Sequence, residues 1–272
     1  MPELPEVEII GRQIAAHLPL EIISEMRSPV ASRIIKENVF NPQGLYLLKI
    51  LRHGKCLQFI FNRGGRLLSH LGMSGSWRLS AKPLEIKHTH LQLLCRKKNN
   101  EEIYLSYIDP RRFGKMYFLK NKAAEQRISG MGPDPLSAKF SVQFVQSTLK
   151  AHPKIAIKPL LLNQKYFAGV GNYMASEICA RAAVRPTRRA GKISLAEAKA
   201  IHQATLDIIS LSLDNQGLSF ARGYSDTAGR LGKALSYLFV FQQKSCGRCQ
   251  ITPVKKIYQM SRATFFCPHC QK

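Results

Sequence analysis

Acidic residues are scarce in this chain. Asp and Glu number 17 against 41 Lys and Arg, a formal net charge of +24 over 272 residues. So cationic a molecule disfavours a basic partner and favours a polyanion, which it binds with release of counterions. An apolar run of membrane-spanning length is also missing, as is a separate basic amphipathic helix, and both absences argue against a lipid surface. The N-terminus has neither the basic n-region nor the apolar h-region of a signal peptide; Glu3, Glu6 and Glu8 stand where cations would be. A cytoplasmic protein is therefore expected. In a reducing compartment its seven cysteines do not form a disulfide framework.

Four of those cysteines are paired near the C-terminus. Cys246-Gly247-Arg248-Cys249 and Cys267-Pro268-His269-Cys270 are separated by 17 residues. Two such knuckles with a β-hairpin between them suit a tetrahedral zinc ion. Four thiolates leave no position for a reacting water, so one structural zinc is expected on Cys246, Cys249, Cys267 and Cys270, with His269 a bystander. Lys255, Lys256 and Arg262 in the intervening hairpin suit a finger that holds nucleic acid. Cys56, Cys95 and Cys179 lie in apolar stretches and read as buried fillers.

The periodicities predict an α+β chain. Val7, Ile10, Ile14 and Leu18 recur at helical spacing, with Pro5 in the first turn. From about 21 to 120 the texture becomes short and β-rich: Gly44–Phe61, Arg66–Leu79, His88–Cys95, Glu102–Ile108 and Lys115–Leu119, with Asn99-Asn100 as a hairpin tip. This predicts a β-sandwich or barrel carrying one N-terminal helix. Gly130 to Pro135 reads as a linker. Helices are predicted over Phe140–Lys150, Ile155–Leu162, Tyr173–Ala183 and Ser194–Leu213, with Asn172 and Ser194 as N-caps. Gly217–Lys233 lacks periodicity and reads as a mobile loop. The expected domains are 1–130, 131–235 and a finger at 236–272.

The amine of Pro2 is the candidate nucleophile. Methionine is normally trimmed before proline, and the exposed α-amine has a pKa of about 7.7–8.0, far below that of lysine. A secondary amine that attacks a sugar C1′ gives an iminium, and that cation is an electron sink. Alone, a proline near a terminus more often serves only to stiffen it. Further motifs follow in order: His70-Leu71-Gly72-Met73-Ser74-Gly75, Asp109-Pro110-Arg111-Arg112-Phe113-Gly114 and Gly169-Val170-Gly171-Asn172. Together with the Pro2–Glu6 start and the terminal cysteines, these motifs resemble the formamidopyrimidine-DNA glycosylase family over nearly the whole chain.

That resemblance implies an N-terminal β-sandwich, a helix-two-turn-helix module and a zinc finger. It implies a monomeric base-excision enzyme acting on oxidised purines, such as 8-oxoguanine and formamidopyrimidines, in double-stranded DNA, with glycosylase and abasic-site lyase activities. Pro2 would be the Schiff-base nucleophile, Glu3 the proton donor, Lys55 the acid/base of β-elimination and Arg262 the group assigned to δ-elimination. Since arginine is a poor proton donor, Arg262 is read mainly as a phosphate ligand. Met73, Arg111 and Phe113 would fill the space left by an extruded base. Without the family, Met73 and Phe113 would read as core residues. If the chain there is extended, Arg111 and Arg112 point to opposite faces. His88, placed with His90 on one face of a strand, is assigned to DNA. His70, Lys154 and Asn172 would contact the backbone.

The chain departs from the family pattern at Pro153, Tyr173-Met174, Leu231-Gly232 and Val240-Phe241-Gln242. Two alternatives stand beside this reading. One is the sister endonuclease VIII type, acting on oxidised pyrimidines, which Leu4 and the Arg111-Arg112-Phe113 triplet oppose. The other is a non-catalytic zinc-finger DNA-binding protein.

Overall fold

A computed structural model describes residues 2–220 and 224–272. Helix α1 (Leu4–Ala15) is followed by nine strands: β1 (Leu20–Arg27), β2 (Ile35–Asn38), β3 (Tyr46–His53), β4 (Cys56–Phe61), β5 (Gly65–His70), β6 (Ser76–Ser80), β7 (Thr89–Arg96), β8 (Glu102–Ile108) and β9 (Lys115–Lys120). Helices α2 (Asn121–Ser129), α3 (Val142–Ala151), α4 (Ile157–Leu161), α5 (Asn172–Arg181) and α6 (Leu195–Asp214) come next, and the hairpin β10 (Lys255–Gln259) and β11 (Arg262–Phe266) closes the chain. The chain divides into two compact units, 1–130 with 215–233 and 131–214 with 234–272.

In the first unit one sheet runs β2-β9-β5-β4-β3-β1-β7-β8-β6. The period of two is visible in the burial of Leu57, Phe59 and Phe61 on β4 and of Leu91, Leu93 and Cys95 on β7. These inner faces meet in one core: Phe59 of β4 lies 4.9 Å, ring to ring, from Trp77 of β6, although those strands are not neighbours in the sheet. The sheet thus folds over itself as a sandwich. Helix α1 lies on it through Gly11, where an added Cβ would come 2.9 Å from Leu57 Cδ2.

The segment read as a free loop belongs to this unit, not to the helical module, and its described residues are tied down. The Leu218 N–H donates to Glu6 Oε1 at 2.9 Å, the Thr227 N–H to Gln13 Oε1 at 3.0 Å, and Arg78 Nη2 to Ser225 Oγ at 2.6 Å. Tyr224 enters the core at 3% exposure. Three residues of that loop, 221–223, lie outside the described part, as does Met1, whose removal the sequence reading requires.

In the second unit α5 is buried along most of its length. Glu177, fully buried there, accepts the N–H groups of Phe239, Val240 and Phe241, each at 2.8 Å, and so pins the segment before the finger. Ser194 caps α6 as expected, exchanging hydrogen bonds with Glu197. Asn172 does not cap α5: Gly171 takes that position and Asn172 is the first helical residue. Among the described residues no helix is long and apolar enough to cross a membrane.

Candidate functional site

Pro2 and Glu3 are buried at the head of α1, Glu3 to 2% exposure. Pro5 serves the first turn without wasting an N–H. The Glu3 N–H donates to Glu6 Oε2 at 2.8 Å, and the other oxygen of Glu6 holds Leu218. One fully buried carboxylate therefore fixes the N-terminal residues and the 215–233 segment together. In the sequence Glu6 was legible only as an acid favoured by the helix dipole; its spacing of three from Glu3 is that of a capping box.

Lys55 sits at the tip of the β3–β4 hairpin. His53 pairs with Cys56, so Gly54 and Lys55 form a two-residue turn, and Gly54 supplies the left-handed backbone (φ +56°). Lys55 is 9% exposed. Its charge reaches His70 on β5, whose strand pairs Cys56 with His70. Burial first, then the cations Lys55 and Lys115, push the His70 pKa down to about 4. His70 is thus neutral at pH 7. Its Nδ1 accepts the Gly72 N–H at 3.1 Å, which leaves the proton on Nε2 as a donor.

Met73, Arg111 and Phe113 come together on two adjoining loops. Met73 is 40% exposed and Phe113 50%, so neither is the core residue that strand patterning alone would make it. The Arg111 guanidinium lies 4.7 Å from the centre of the Phe113 ring. Asp109, fully buried, binds the loops together: Ser74 Oγ donates to its Oδ1 at 2.6 Å and the Gly114 N–H to its Oδ2 at 2.7 Å. At Gly72 an added Cβ would lie 2.4 Å from the Phe113 carbonyl carbon, a contact only glycine permits.

Two expectations fail here. Arg111 and Arg112 are not on an extended strand: the Arg112 N–H closes a turn onto the Asp109 carbonyl, with φ +56° at Arg112, so both side chains are exposed. His88 is not on a strand face with His90. It precedes β7 with φ +73°, while His90 is buried against Ser28 and the Asp109 carbonyl.

In the second unit Lys154 is exposed. Asn172 Oδ1 accepts from Lys158 Nζ at 2.8 Å, and its amide donates to the Ala263 carbonyl beside Arg262 at 3.0 Å. Lys158, fully buried and absent from the sequence candidates, also donates to Thr264 Oγ1 at 2.8 Å. Nothing in a helical pattern marks a lysine as buried. Arg262 itself is exposed and, among the described residues, pairs with no acid.

The four finger cysteines converge, with ligand atoms all within 4.8 Å of one another and Cys249 Sγ 3.9 Å from Cys267 Sγ. Tetrahedral zinc at a Zn–S distance of about 2.3 Å spaces its sulfurs by roughly 3.8 Å, so the donor set fits. The Cys270 N–H points to Cys267 Sγ at 3.4 Å, the amide support that a knuckle gives a thiolate. His269 is exposed and outside the cluster.

Some of the departures from the family pattern make local contacts. Tyr173 and Phe241 meet each other, with ring centres 6.3 Å apart. Pro153 packs on Gly191, and an added Cβ at Gly232 would strike the Gly217 carbonyl at 2.1 Å.

Comparison with known proteins places this geometry. Residues 1–116 match the formamidopyrimidine-DNA glycosylase N-terminal domain and residues 131–222 the formamidopyrimidine-DNA glycosylase H2TH domain. The formamidopyrimidine-DNA glycosylase of Proteus mirabilis is 36% identical over 281 residues, covering 100% of this chain and 98% of that protein. The MutM (Fpg) protein of Thermus thermophilus superposes with a TM-score of 0.86 at 29% identity, covering 99% of this chain and 98% of that one. A point mutant of the Lactococcus lactis FPG, solved with DNA containing Fapy-dG, gives a TM-score of 0.89 at 28% identity over 100% of both chains. The wild-type Lactococcus protein, solved with DNA containing an oxidised pyrimidine, gives 0.87 at 28% over 100% of both. The chain belongs to the formamidopyrimidine-DNA glycosylase family of DNA-repair glycosylases.

Proposed function

We propose that this protein is a bifunctional glycosylase and abasic-site lyase that removes oxidised purines from duplex DNA through the amine of Pro2. The observation that carries the reading is the burial of Pro2 and Glu3 at the head of α1, with Glu3 held by Glu6. A terminus with only a stiffening role has no need of such anchorage.

On this reading the Pro2 nitrogen bonds to C1′ of the damaged nucleotide as the glycosidic bond breaks, its electron pair leaving with the base. Glu3 supplies the proton that opens the sugar ring, leaving an iminium. Loss of a C2′ proton, with Lys55 as the acid/base group, expels the 3′ phosphate; a second elimination expels the 5′ phosphate, and water releases Pro2. Met73, Arg111 and Phe113 occupy the emptied stack, where Arg111 can hydrogen-bond the orphaned base. His70, His88, Lys154, Asn172 and Arg262 hold the backbone. Cys246, Cys249, Cys267 and Cys270 would hold one zinc ion, whose bonds would order the finger hairpin that carries Arg262. The protein acts as a monomer in the cytoplasm of a bacterium.

The test is borohydride trapping on a duplex with 8-oxoguanine opposite cytosine. The protein without Met1 forms a covalent adduct, and Pro2→Gly binds the duplex but loses most trapping; no adduct from the trimmed protein overturns the reading. The Lactococcus complex with an oxidised pyrimidine supports a second reading, in which such lesions are also substrates. Preferential cleavage of a thymine glycol duplex would establish that order of preference instead.

A further inference from the structure

Glu8, one turn into α1, has no part in the chemistry above, yet it joins the two elements that carry it. Its Oε2 accepts from Arg52 Nε at 2.6 Å and its Oε1 from Arg12 Nε at 2.7 Å. Arg52 then donates from Nη1 to the Gly54 carbonyl at 3.1 Å. The Arg52 side chain is 7% exposed and that of Glu8 18%, whereas Arg12, at 63%, is a surface partner. Gly54 is the left-handed residue of the turn that presents Lys55. The chain of contacts thus runs from the helix bearing Pro2 and Glu3, through one carboxylate and one planar guanidinium, to the peptide preceding Lys55. Gly11 adds to it by letting α1 approach Leu57 and Ile50 closely.

We propose that Glu8 and Arg52 are positioning residues that set the Lys55 turn against the helix bearing Pro2, so that nucleophile and acid/base group meet the same sugar. The proposal rests on the roles assigned to Pro2 and Lys55. A fork is required because one guanidinium must reach a carboxylate and a carbonyl at once, which an ammonium does poorly. Burial raises the Glu8 pKa, but the hydrogen bonds and charges of Arg52 and Arg12 outweigh it and hold the carboxyl below its ordinary value. The pair is therefore charged at neutral pH.

Two variants test this, Glu8→Gln and Arg52→Lys, with Arg12→Ala as control. Strand cleavage at a preformed abasic site should lose about ten- to hundred-fold in kcat in both variants, the cost of slight misplacement of a catalytic group. KM should change by less than about two-fold, because DNA contacts are intact. Borohydride-trapped adduct should persist while scission falls, since Glu3, next to Pro2, keeps its own anchorage in Glu6. Arg12→Ala should match wild type. A loss confined to the active fraction, seen as a smaller burst at an unchanged rate, overturns the proposal, and so does wild-type kcat in both variants. Should wild type itself form no adduct, the reading of Pro2 falls, and amide exchange of residues 54–56 judges the contact chain alone: faster exchange in both variants supports it, unchanged exchange ends it.

Discussion

His70 shows what a half-buried neutral imidazole does to stability. Folded, it takes its proton only below about 4, against an ordinary value of 6.5. Between those values the unfolded chain binds the extra proton, so stability falls as pH drops from 6.5 towards 4 and this contribution is gone below that. The full swing is on the order of 3 kcal/mol. Urea unfolding from pH 4 to 7 should show a steeper acid loss in wild type than in His70→Gln; parallel curves would refute this. The same burial explains why a cation-rich site keeps one uncharged donor: Lys55 already supplies the charge, and a second cation beside it would be repelled. Cys95 and Cys179 follow the same rule of burial, which pushes each thiol up to about 12 and leaves both inert.

At the scale of elements, one short turn and two adjoining loops carry the candidate residues of the first unit, and the finger hairpin carries Arg262 in the second. The Gly54-Lys55 turn and the loops around Met73 and Phe113 are held by buried polar groups, Arg52 in one case and Asp109 in the other. The finger is expected to depend on an ion held by its four clustered cysteines. With strands of five residues each, β10 and β11 bury few side chains, and four clustered thiols left without metal do not hold a hairpin. Chelation should therefore weaken duplex binding on the order of ten-fold or more, with the deficit growing as salt is raised. Fluorescence anisotropy of a labelled duplex measures it, and equal affinity with and without metal would remove the finger from the interface. Helix α2 was missed, but the other helices and the cysteine cluster were legible because periodicity and spacing are local. His88 was misplaced for the same reason: a left-handed turn before β7 interrupts an alternation that the residues alone suggest.

Across the whole molecule the dominant quantity is the charge of +24. If binding neutralises roughly six to ten phosphates, affinity for undamaged duplex should fall by about three to five orders of magnitude between 50 and 200 mM salt. A flat salt titration would mean that the excess charge faces away from the duplex. By itself the sequence determined the family, the four cysteines that cluster, the α+β order of elements and the ordered motifs from Pro2 to Cys270. These depend on composition, spacing and local periodicity, which survive without coordinates. Only the tertiary structure decided that residues 215–233 belong with the N-terminal sandwich, and that Glu6 anchors both Glu3 and Leu218. It alone decided that Lys158 is buried beside Asn172, and that Glu8 reaches the Lys55 turn through Arg52. Most of these are polar contacts between residues far apart in the chain, and their side chains could have met water equally well. What selects them is the cost of burying an unpaired charge, and that cost exists only once the chain has folded.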